Sequence, residues 1–192
     1  MPPKPKFTRE EIVEAALDLV SEKGLPALTA RDLGAKLGCS ARPIFTVFNS
    51  MEEVKLEVRD AAMKRFEGYT KKAEAYTPTF KRIGMMMVLF AIEEPRLYQI
   101  LFMDANDSLK SFDDVIGTLG ETGSTSLKVL KEDYHLTDEQ AETLFRHVWV
   151  FTFGIGVMCA MGVCHFQEEE ISEMLSQNFQ AILMSIKAGE QN

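Results

Sequence analysis

The stretch of sequence that decides the fold of the N-terminal part is LTARDLGAKLGCSARPIFTVF, residues 28–48 of a 192-residue chain. Thr29 stands at the capping position of a short helix, and Gly38 supplies a C-terminal stop for it. Ser40 is then placed to cap a second helix over residues 40–48. Two short helices joined by a tight turn predict a helix-turn-helix, although an ordinary helical hairpin in an all-α protein would give the same pattern.

Pro43 falls in the first turn of this second helix. Proline is tolerated there, because an amide N–H at that position has no acceptor within the helix. Proline also biases the preceding residue, Arg42, away from α-helical geometry. We therefore expect the second helix to be short.

Helical periodicity continues along the rest of the chain. Apolar residues recur at helical spacing over residues 51–75, 137–164 and 168–187, and no segment alternates in the manner of a β-strand. The sequence therefore predicts an all-α fold. We expect a three-helix helix-turn-helix domain over residues 1–50 and a larger helical domain over residues 51–192.

The charge of the chain is divided unevenly between these two parts. The whole chain has 21 basic and 29 acidic side chains, a formal net charge of −8, which argues against a sequence-blind nucleic-acid coat. Residues 1–50 hold seven basic and six acidic side chains and carry +1, so the remainder carries −9. The near-neutral N-terminal part can still present a positive edge to DNA.

Several other function classes are disfavoured. Three cysteines and no signal-peptide pattern indicate reduced thiols, so we expect a cytoplasmic protein. The most apolar stretch, residues 148–163, is shorter than a bilayer span, so we expect no membrane partner. Cys164, His165 and Glu168 could form part of a metal site, but the sequence has no second pair of ligands at the spacing that a metal site needs. No arrangement of a nucleophile and a base stands out. We predict no enzyme activity, no catalytic residues, no metal site and no cofactor.

Residues 8–55 resemble the DNA-binding domain of the TetR family of bacterial transcriptional regulators. The matching residues are Ala15, Ala16, Gly24, Thr29, Arg31, Leu33, Ala35, Gly38, Ser40, Ile44, Phe48, Ser50 and Glu53. The resemblance implies that residues 40–48 are the recognition helix and that Arg42 is the best candidate for a bidentate contact to guanine. It implies the following candidate DNA-binding residues: Thr29, Arg31, Lys36, Ser40, Ala41, Arg42, Pro43, Phe45, Thr46 and Asn49. Lys4, Lys6 and Arg9 would add attraction that is blind to sequence.

Two positions depart from the family pattern. Phe45 stands where the family usually has Tyr, and Met51 stands where it usually has Lys. Each change removes a group that would contact a phosphate, at a cost on the order of 1 kcal/mol. We expect weaker or differently balanced DNA affinity with the fold retained.

The C-terminal part resembles a subset of the family that has a Trp-x-x-x-His-Gly motif. Here the motif reads Trp149-x-x-x-Phe153-Gly154, so the polar role of the histidine is absent. The resemblance implies that the last two helices pair with their copies in a homodimer. The candidate interface residues are Gly154, Met158, Met161, Met174, Phe179 and Ile182, for which an intramolecular core is the alternative.

An apolar pocket in the same domain is the candidate effector site. Its predicted lining is Met86, Met87, Phe90, Phe102, Met103, Phe145, Trp149 and Phe153, and plain core is the alternative for each. Methionine side chains adapt to varied ligand shapes, so the expected effector is a small apolar or amphipathic molecule. The larger domain is thus expected to bind the ligand and to dimerise.

The sequence therefore predicts a DNA-binding transcriptional regulator, a ligand-responsive repressor that binds a palindromic double-stranded DNA operator as a homodimer. The alternative is a helical small-molecule-binding or adaptor protein whose N-terminal hairpin does not bind DNA.

Overall fold

The computed structural model describes residues 6–104 and 111–189, and these residues form helices and no β-strand. The α-helices are α1 (Arg9–Lys23), α2 (Ala30–Lys36), α3 (Met51–Lys71), α4 (Thr79–Glu93), α5 (Pro95–Tyr98), α6 (Phe112–Gly117), α7 (Gly120–Tyr134), α8 (Asp138–Ala160) and α9 (Glu168–Gly189). Short 3-10 turns lie at Leu25–Ala27, Ile44–Thr46 and Lys72–Ala75, and a π-helical turn lies at Gln99–Met103. The prediction of an all-α fold is confirmed.

The chain forms two compact units. The first comprises the described residues of Met1–Arg65 together with Glu94–Asp104. The second comprises Phe66–Glu93 and the described residues of Ala105–Asn192. Helix α3 contributes residues to both units. The first unit therefore extends past residue 50, where the sequence analysis placed the domain boundary.

The first unit is built around the apolar faces of α1 and α3. Ile12 on α1 and Val54 and Val58 on α3 have no exposed surface, and Leu97 on α5 is equally buried. A capping box is present at the start of α1, since Thr8 and Glu11 each bond the other's backbone N–H.

Polar side chains also tie the helices of the first unit together. Arg9 on α1 forms ion pairs with Glu53 at 2.7 Å and Glu57 at 2.8 Å on α3. Glu94, at the start of α5, accepts a hydrogen bond from Ser21 at 2.7 Å and one from Arg65 at 2.9 Å. These contacts bind α1, α3 and α5 into one body.

The predicted helix over residues 40–48 is reduced to the 3-10 turn Ile44–Thr46. The N-cap of this turn is Pro43 rather than Ser40. Proline disfavours α-helical geometry at the residue before it, which is Arg42 here. Pro43 therefore accounts for the late start of the regular segment, at Ile44.

The second unit packs α4 against α8 and α9. Its core cluster consists of Met85, Val88, Ile155, Ile171 and Leu175. A capping box begins α8, with Thr137 and Gln140 each bonding the other's backbone N–H.

Helix α8 ends at Ala160, four residues before the predicted end at Cys164. Gly162 adopts φ +67° and donates to the Cys159 carbonyl at 3.0 Å, while Val163 donates to the Met158 carbonyl at 2.9 Å. This pair of bonds is a Schellman motif, which closes a helix with a residue of positive φ.

By length and hydropathy alone, α8 is the one helix of the described chain that could cross a bilayer. Half of its most apolar 18-residue window is buried inside the fold, with Ile155 in the core cluster of the second unit. Core helices of globular proteins pass the same test, and the packing of α8 accounts for its apolar character.

Candidate functional site

The turn that follows α2 lies directly against that helix. Cys39 donates its backbone N–H to the Gly34 carbonyl at 2.8 Å. A Cβ atom added to Gly34 would lie 3.0 Å from the Cys39 carbonyl oxygen and 3.0 Å from the Ser40 carbonyl carbon. The close approach therefore depends on glycine. The sequence analysis missed Gly34, and the available signal was a glycine in the middle of a short capped helix, where glycine is unfavourable.

The 3-10 turn after this bend has a buried side and an exposed side. Ile44 has no exposed surface and Phe48 is 2% exposed, so both anchor the segment in the first unit. Arg42 and Thr46 are exposed, and the Phe45 ring is 46% exposed. The turn therefore presents a cation, a hydroxyl and an aromatic ring beside α2.

Most of the predicted DNA-binding residues are accessible to solvent. The exposed ones are Thr29, Arg31, Lys36, Ser40, Arg42, Phe45, Thr46 and Asn49, and Ala41 and Pro43 are half-buried. All ten lie in the first unit.

The predicted cations differ in whether a carboxylate already neutralises them. Lys36 pairs with Glu22 at 2.8 Å, and Arg9 pairs with two glutamates of α3 and lies over the Phe48 ring at 4.3 Å. Lys4 lies outside the described residues. Within the described chain, Lys6, Arg31 and Arg42 form no ion pair, and Lys6 lies over the Phe7 ring at 5.2 Å. These three cations of the predicted set therefore have charge available for DNA.

Two of the predicted polar groups also serve the local structure. Thr46 donates its hydroxyl to the Pro43 carbonyl at 2.6 Å. Asn49 donates its backbone N–H to Glu53 at 2.7 Å and its side-chain amide to the same carboxylate at 2.9 Å. These bonds, with the ion pair to Arg9, hold the pKa of Glu53 below its ordinary value of 4.5. Asn49 thus fixes the start of α3 whether or not it touches DNA.

The comparison with known families bears on this N-terminal segment. Residues 12–58 match the family described as bacterial regulatory proteins, tetR family. The N-terminal segment of this chain is thus similar to that family, over about a quarter of the chain's length. The matched residues contain α2, the turn held by Gly34 and the 3-10 turn with Arg42 and Phe45.

A curated relative with a related sequence is the HTH-type transcriptional repressor KstR2 of Mycolicibacterium smegmatis. The two chains are 29% identical over 106 residues, which cover 54% of this chain and 52% of the relative. The match thus spans about half the length of that relative.

The fold is also similar to a crystal structure assigned to a TetR-family transcriptional regulator from Mesorhizobium loti. The TM-score is 0.60 with 16% sequence identity, over 93% of this chain and 98% of the other. At this identity the likeness concerns the fold alone, and it extends over the C-terminal helices as well as the tetR segment.

The second unit contains a cavity of about 320 Å³ between α4, α7, α8 and α9. Phe179 on α9 packs against Phe80 on α4 at 5.5 Å and Tyr134 on α7 at 4.9 Å between ring centroids. The lining residues are Pro78, Phe80, Lys81, Ile83, Gly84, Met87, Ser126, Tyr134, Phe145, Val148, Trp149, Thr152, Leu175, Ser176, Phe179, Gln180 and Leu183. Five aromatic rings make this a predominantly apolar site.

The structure brings three of the eight predicted pocket residues to this cavity, namely Met87, Phe145 and Trp149. The other five do not line it. Met86 and Phe90 are buried elsewhere on α4, Phe102 and Met103 belong to the first unit, and Phe153 is half-buried on α8.

The predicted dimer-interface residues lie on α8, α9 and the turn that ends α8. Met161 is 57% exposed, and a Cβ added to Gly154 would meet no atom within 4 Å. Met158 and Met174 pack partly against the core cluster of the second unit, and Ile182 is half-buried. Phe179 lies in the cavity wall.

Proposed function

We propose that this protein is a ligand-responsive transcriptional repressor that binds a palindromic operator as a homodimer in the cytoplasm. The observation that carries the proposal is the tetR-family segment with Arg42 and Phe45 exposed on the turn beside α2. The name of the KstR2 relative supports repression rather than activation.

Within the proposal, the exposed residues divide into two roles. Arg42 reads a guanine edge through its guanidinium fork, and the Phe45 ring contacts a thymine methyl or a sugar. Arg31, on α2, contacts a phosphate and carries no sequence information. Lys36 contacts a phosphate only if that phosphate displaces Glu22. This exchange costs little free energy, because exposed ion pairs are weak.

These roles are tested by measuring affinity against salt for a duplex selected from a random pool. Arg31→Ala should weaken binding to all duplexes and reduce the slope of log K against log salt by about 2 for a dimer, one contact per protomer. Arg42→Ala should instead lower the preference for the selected duplex over a scrambled one. Arg146→Ala, an exposed arginine of the second unit, serves as the control and should change neither quantity. Equal behaviour of all three variants would refute the assignment.

The homodimer is proposed to form through α8 and α9. Val150 on α8 is 55% exposed and Met184 on α9 is 72% exposed, which are large fractions for apolar side chains. The open space beside Gly154 would allow a second helix to approach closely. In sedimentation velocity, Met184→Glu should shift the protein toward monomer. Leu56→Glu, a matched change at a 66% exposed leucine of α3, should leave the dimer intact. A monomeric wild-type protein would contradict this step.

Effector binding in the cavity is proposed to change operator affinity through α3. This helix supplies Arg9's ion-pair partners in the first unit and continues into the second. Its second-unit end is held to α7 by a buried hydrogen bond of 2.7 Å between the Thr70 and Thr122 hydroxyls. Ser126, one turn further along α7, lines the cavity. An effector that favours one position of α7 would thereby bias α3.

A second candidate is a helical ligand-binding or adaptor protein that has lost DNA binding. The single 3-10 turn in place of a longer helix, and the neutralised Lys36 and Arg9, favour it. It predicts ligand binding without any salt-dependent DNA affinity, so the titration above separates the two candidates.

A further inference from the structure

The cavity of the second unit is lined by seventeen residues, of which Lys81 alone carries a formal charge at neutral pH. No aspartate, glutamate or histidine lines it. This is unusual in a chain whose net charge is −8. A cation at the wall of an apolar cavity attracts an anion more strongly than it would in water, because the surrounding dielectric constant is lower.

Lys81 has no counterion among the described residues. It forms no ion pair with a carboxylate of the described chain, whereas Lys36, Lys55, Lys128 and Lys131 each do. Lys81 also borders a neighbouring, more polar groove that includes Glu168, Glu169 and Arg82. The half-buried Lys81 residue thus lies where the apolar cavity meets a more polar groove.

Three hydroxyl side chains of the lining favour a different ligand group. Ser126, Thr152 and Ser176 each donate the hydroxyl proton to a carbonyl of their own helix, at 2.7, 2.8 and 2.8 Å. With the proton engaged, each oxygen is left as an acceptor. These positions suit a ligand hydroxyl or N–H and disfavour an anion. Tyr134 and Gln180 also line the cavity and can donate to a negative group, but Lys81 is the one lining residue that carries a positive charge.

The volume of the cavity limits the size of the apolar part of the ligand. A cavity of about 150 Å³ binds benzene, and this one, at about 320 Å³, is roughly twice that size. Aromatic walls such as Phe80, Phe145 and Phe179 pack well against flat rings. The volume therefore suits a body of two fused rings.

We propose that the cavity binds a compact organic monoanion, a carboxylic acid on a body of about two rings, and that Lys81 pairs with its carboxylate. This inference deepens the proposed function by naming the class of effector, and it rests on that function only for the regulatory consequence. Binding itself is measurable without DNA.

The test is calorimetric titration of the full chain with naphthalene-2-carboxylate and with its uncharged isostere, naphthalene-2-carboxamide. We expect the wild-type protein to prefer the carboxylate by about tenfold, the size of one charge-assisted hydrogen bond at a partly solvated site. Lys81→Met should abolish the preference and leave the carboxamide affinity within about threefold of wild type. Lys128→Met, which removes an exposed lysine of α7, should behave as wild type, and thermal unfolding checks that both variants are folded.

Equal affinity for acid and amide in the wild-type protein would overturn the proposal. So would a preference that survives Lys81→Met, or the absence of binding by both compounds at millimolar concentration. Titration of the same protein with its selected duplex distinguishes the failure of the proposed ligand class from the failure of the proposed function. Carboxylate preference without DNA binding would refute the proposed function alone, and DNA binding without carboxylate preference would refute the ligand class alone.

Discussion

Gly34 provides a sharp test of how the turn beside α2 is held. In Gly34→Ala, the new Cβ would lie 3.0 Å from the Cys39 carbonyl oxygen, 3.0 Å from the Ser40 carbonyl carbon and 3.1 Å from the Ala41 nitrogen. All three are backbone atoms, and the Cys39–Gly34 hydrogen bond of 2.8 Å keeps them in place. Since no side chain can rotate away, the turn itself must move by a few tenths of an ångström.

The magnitude follows from two opposing effects. Overpacking of this kind costs about 1–3 kcal/mol. Alanine is favoured over glycine in a helix interior by up to about 1 kcal/mol. Gly68, on α3, is exposed and a Cβ there would meet nothing within 4 Å, so Gly68→Ala shows the favourable effect alone. Gly34→Ala should therefore be less stable than Gly68→Ala by about 1–3 kcal/mol.

The assay is urea unfolding followed by far-ultraviolet circular dichroism for both variants and the wild-type protein. We expect a lower midpoint for Gly34→Ala and an unchanged or higher midpoint for Gly68→Ala. DNA affinity should also fall for Gly34→Ala, because the displaced turn carries Arg42. If Gly34→Ala is as stable as Gly68→Ala, the close approach does not constrain the turn and the reasoning fails.

Three further predictions concern other contacts. Thr122→Val should lower the free energy of unfolding by about 1 kcal/mol. The double variant Thr70→Val/Thr122→Val should lose less than the sum of the losses of the two single variants, because the two hydroxyls bond each other. Additive losses in urea unfolding would contradict this prediction. The pKa of Glu53 is lowered in the folded protein, so its carboxylate stabilises the fold above the ordinary pKa of 4.5 and this stability is lost as the pH falls through the lower folded pKa. Glu53→Gln should therefore weaken the pH dependence of the urea midpoint between about pH 5 and pH 3. An unchanged pH dependence would count against the Glu53 contacts. Phe45→Tyr and Met51→Lys should each tighten binding to the selected duplex by about fivefold, on the order of 1 kcal/mol, by restoring a phosphate contact; fluorescence anisotropy showing no gain for either would refute that view.

The features that could be predicted from sequence are those encoded within a few residues. The capping boxes at Thr8 and Thr137 depend on a side chain and a backbone N–H three residues apart, so the pattern contains the whole interaction. The end of α8 was less predictable. Apolar residues continue at helical spacing beyond Gly162, but the helix ends before it because this glycine adopts a positive φ.

The cavity lining could not be predicted in the same way, because it depends on which helices meet. Met86 and Met87 are neighbours on α4, but successive side chains of a helix point about 100° apart, and Met87 alone of the two lines the cavity. Phe102 looked like pocket lining on composition, yet its segment belongs to the first unit. No local pattern distinguishes Lys81 from the other lysines, since its place in the cavity wall depends on how α4 packs against α7, α8 and α9.

The central claim, that this chain is a sequence-specific dimeric DNA-binding protein, is tested most directly by selection of duplexes from a random-sequence pool. We predict enrichment of one two-fold symmetric site with half-sites about one helical turn, or a multiple of it, apart, and loss of that enrichment in Arg42→Ala. Recovery of no enriched sequence by the wild-type protein, at a salt concentration where the chain is folded, would contradict the account.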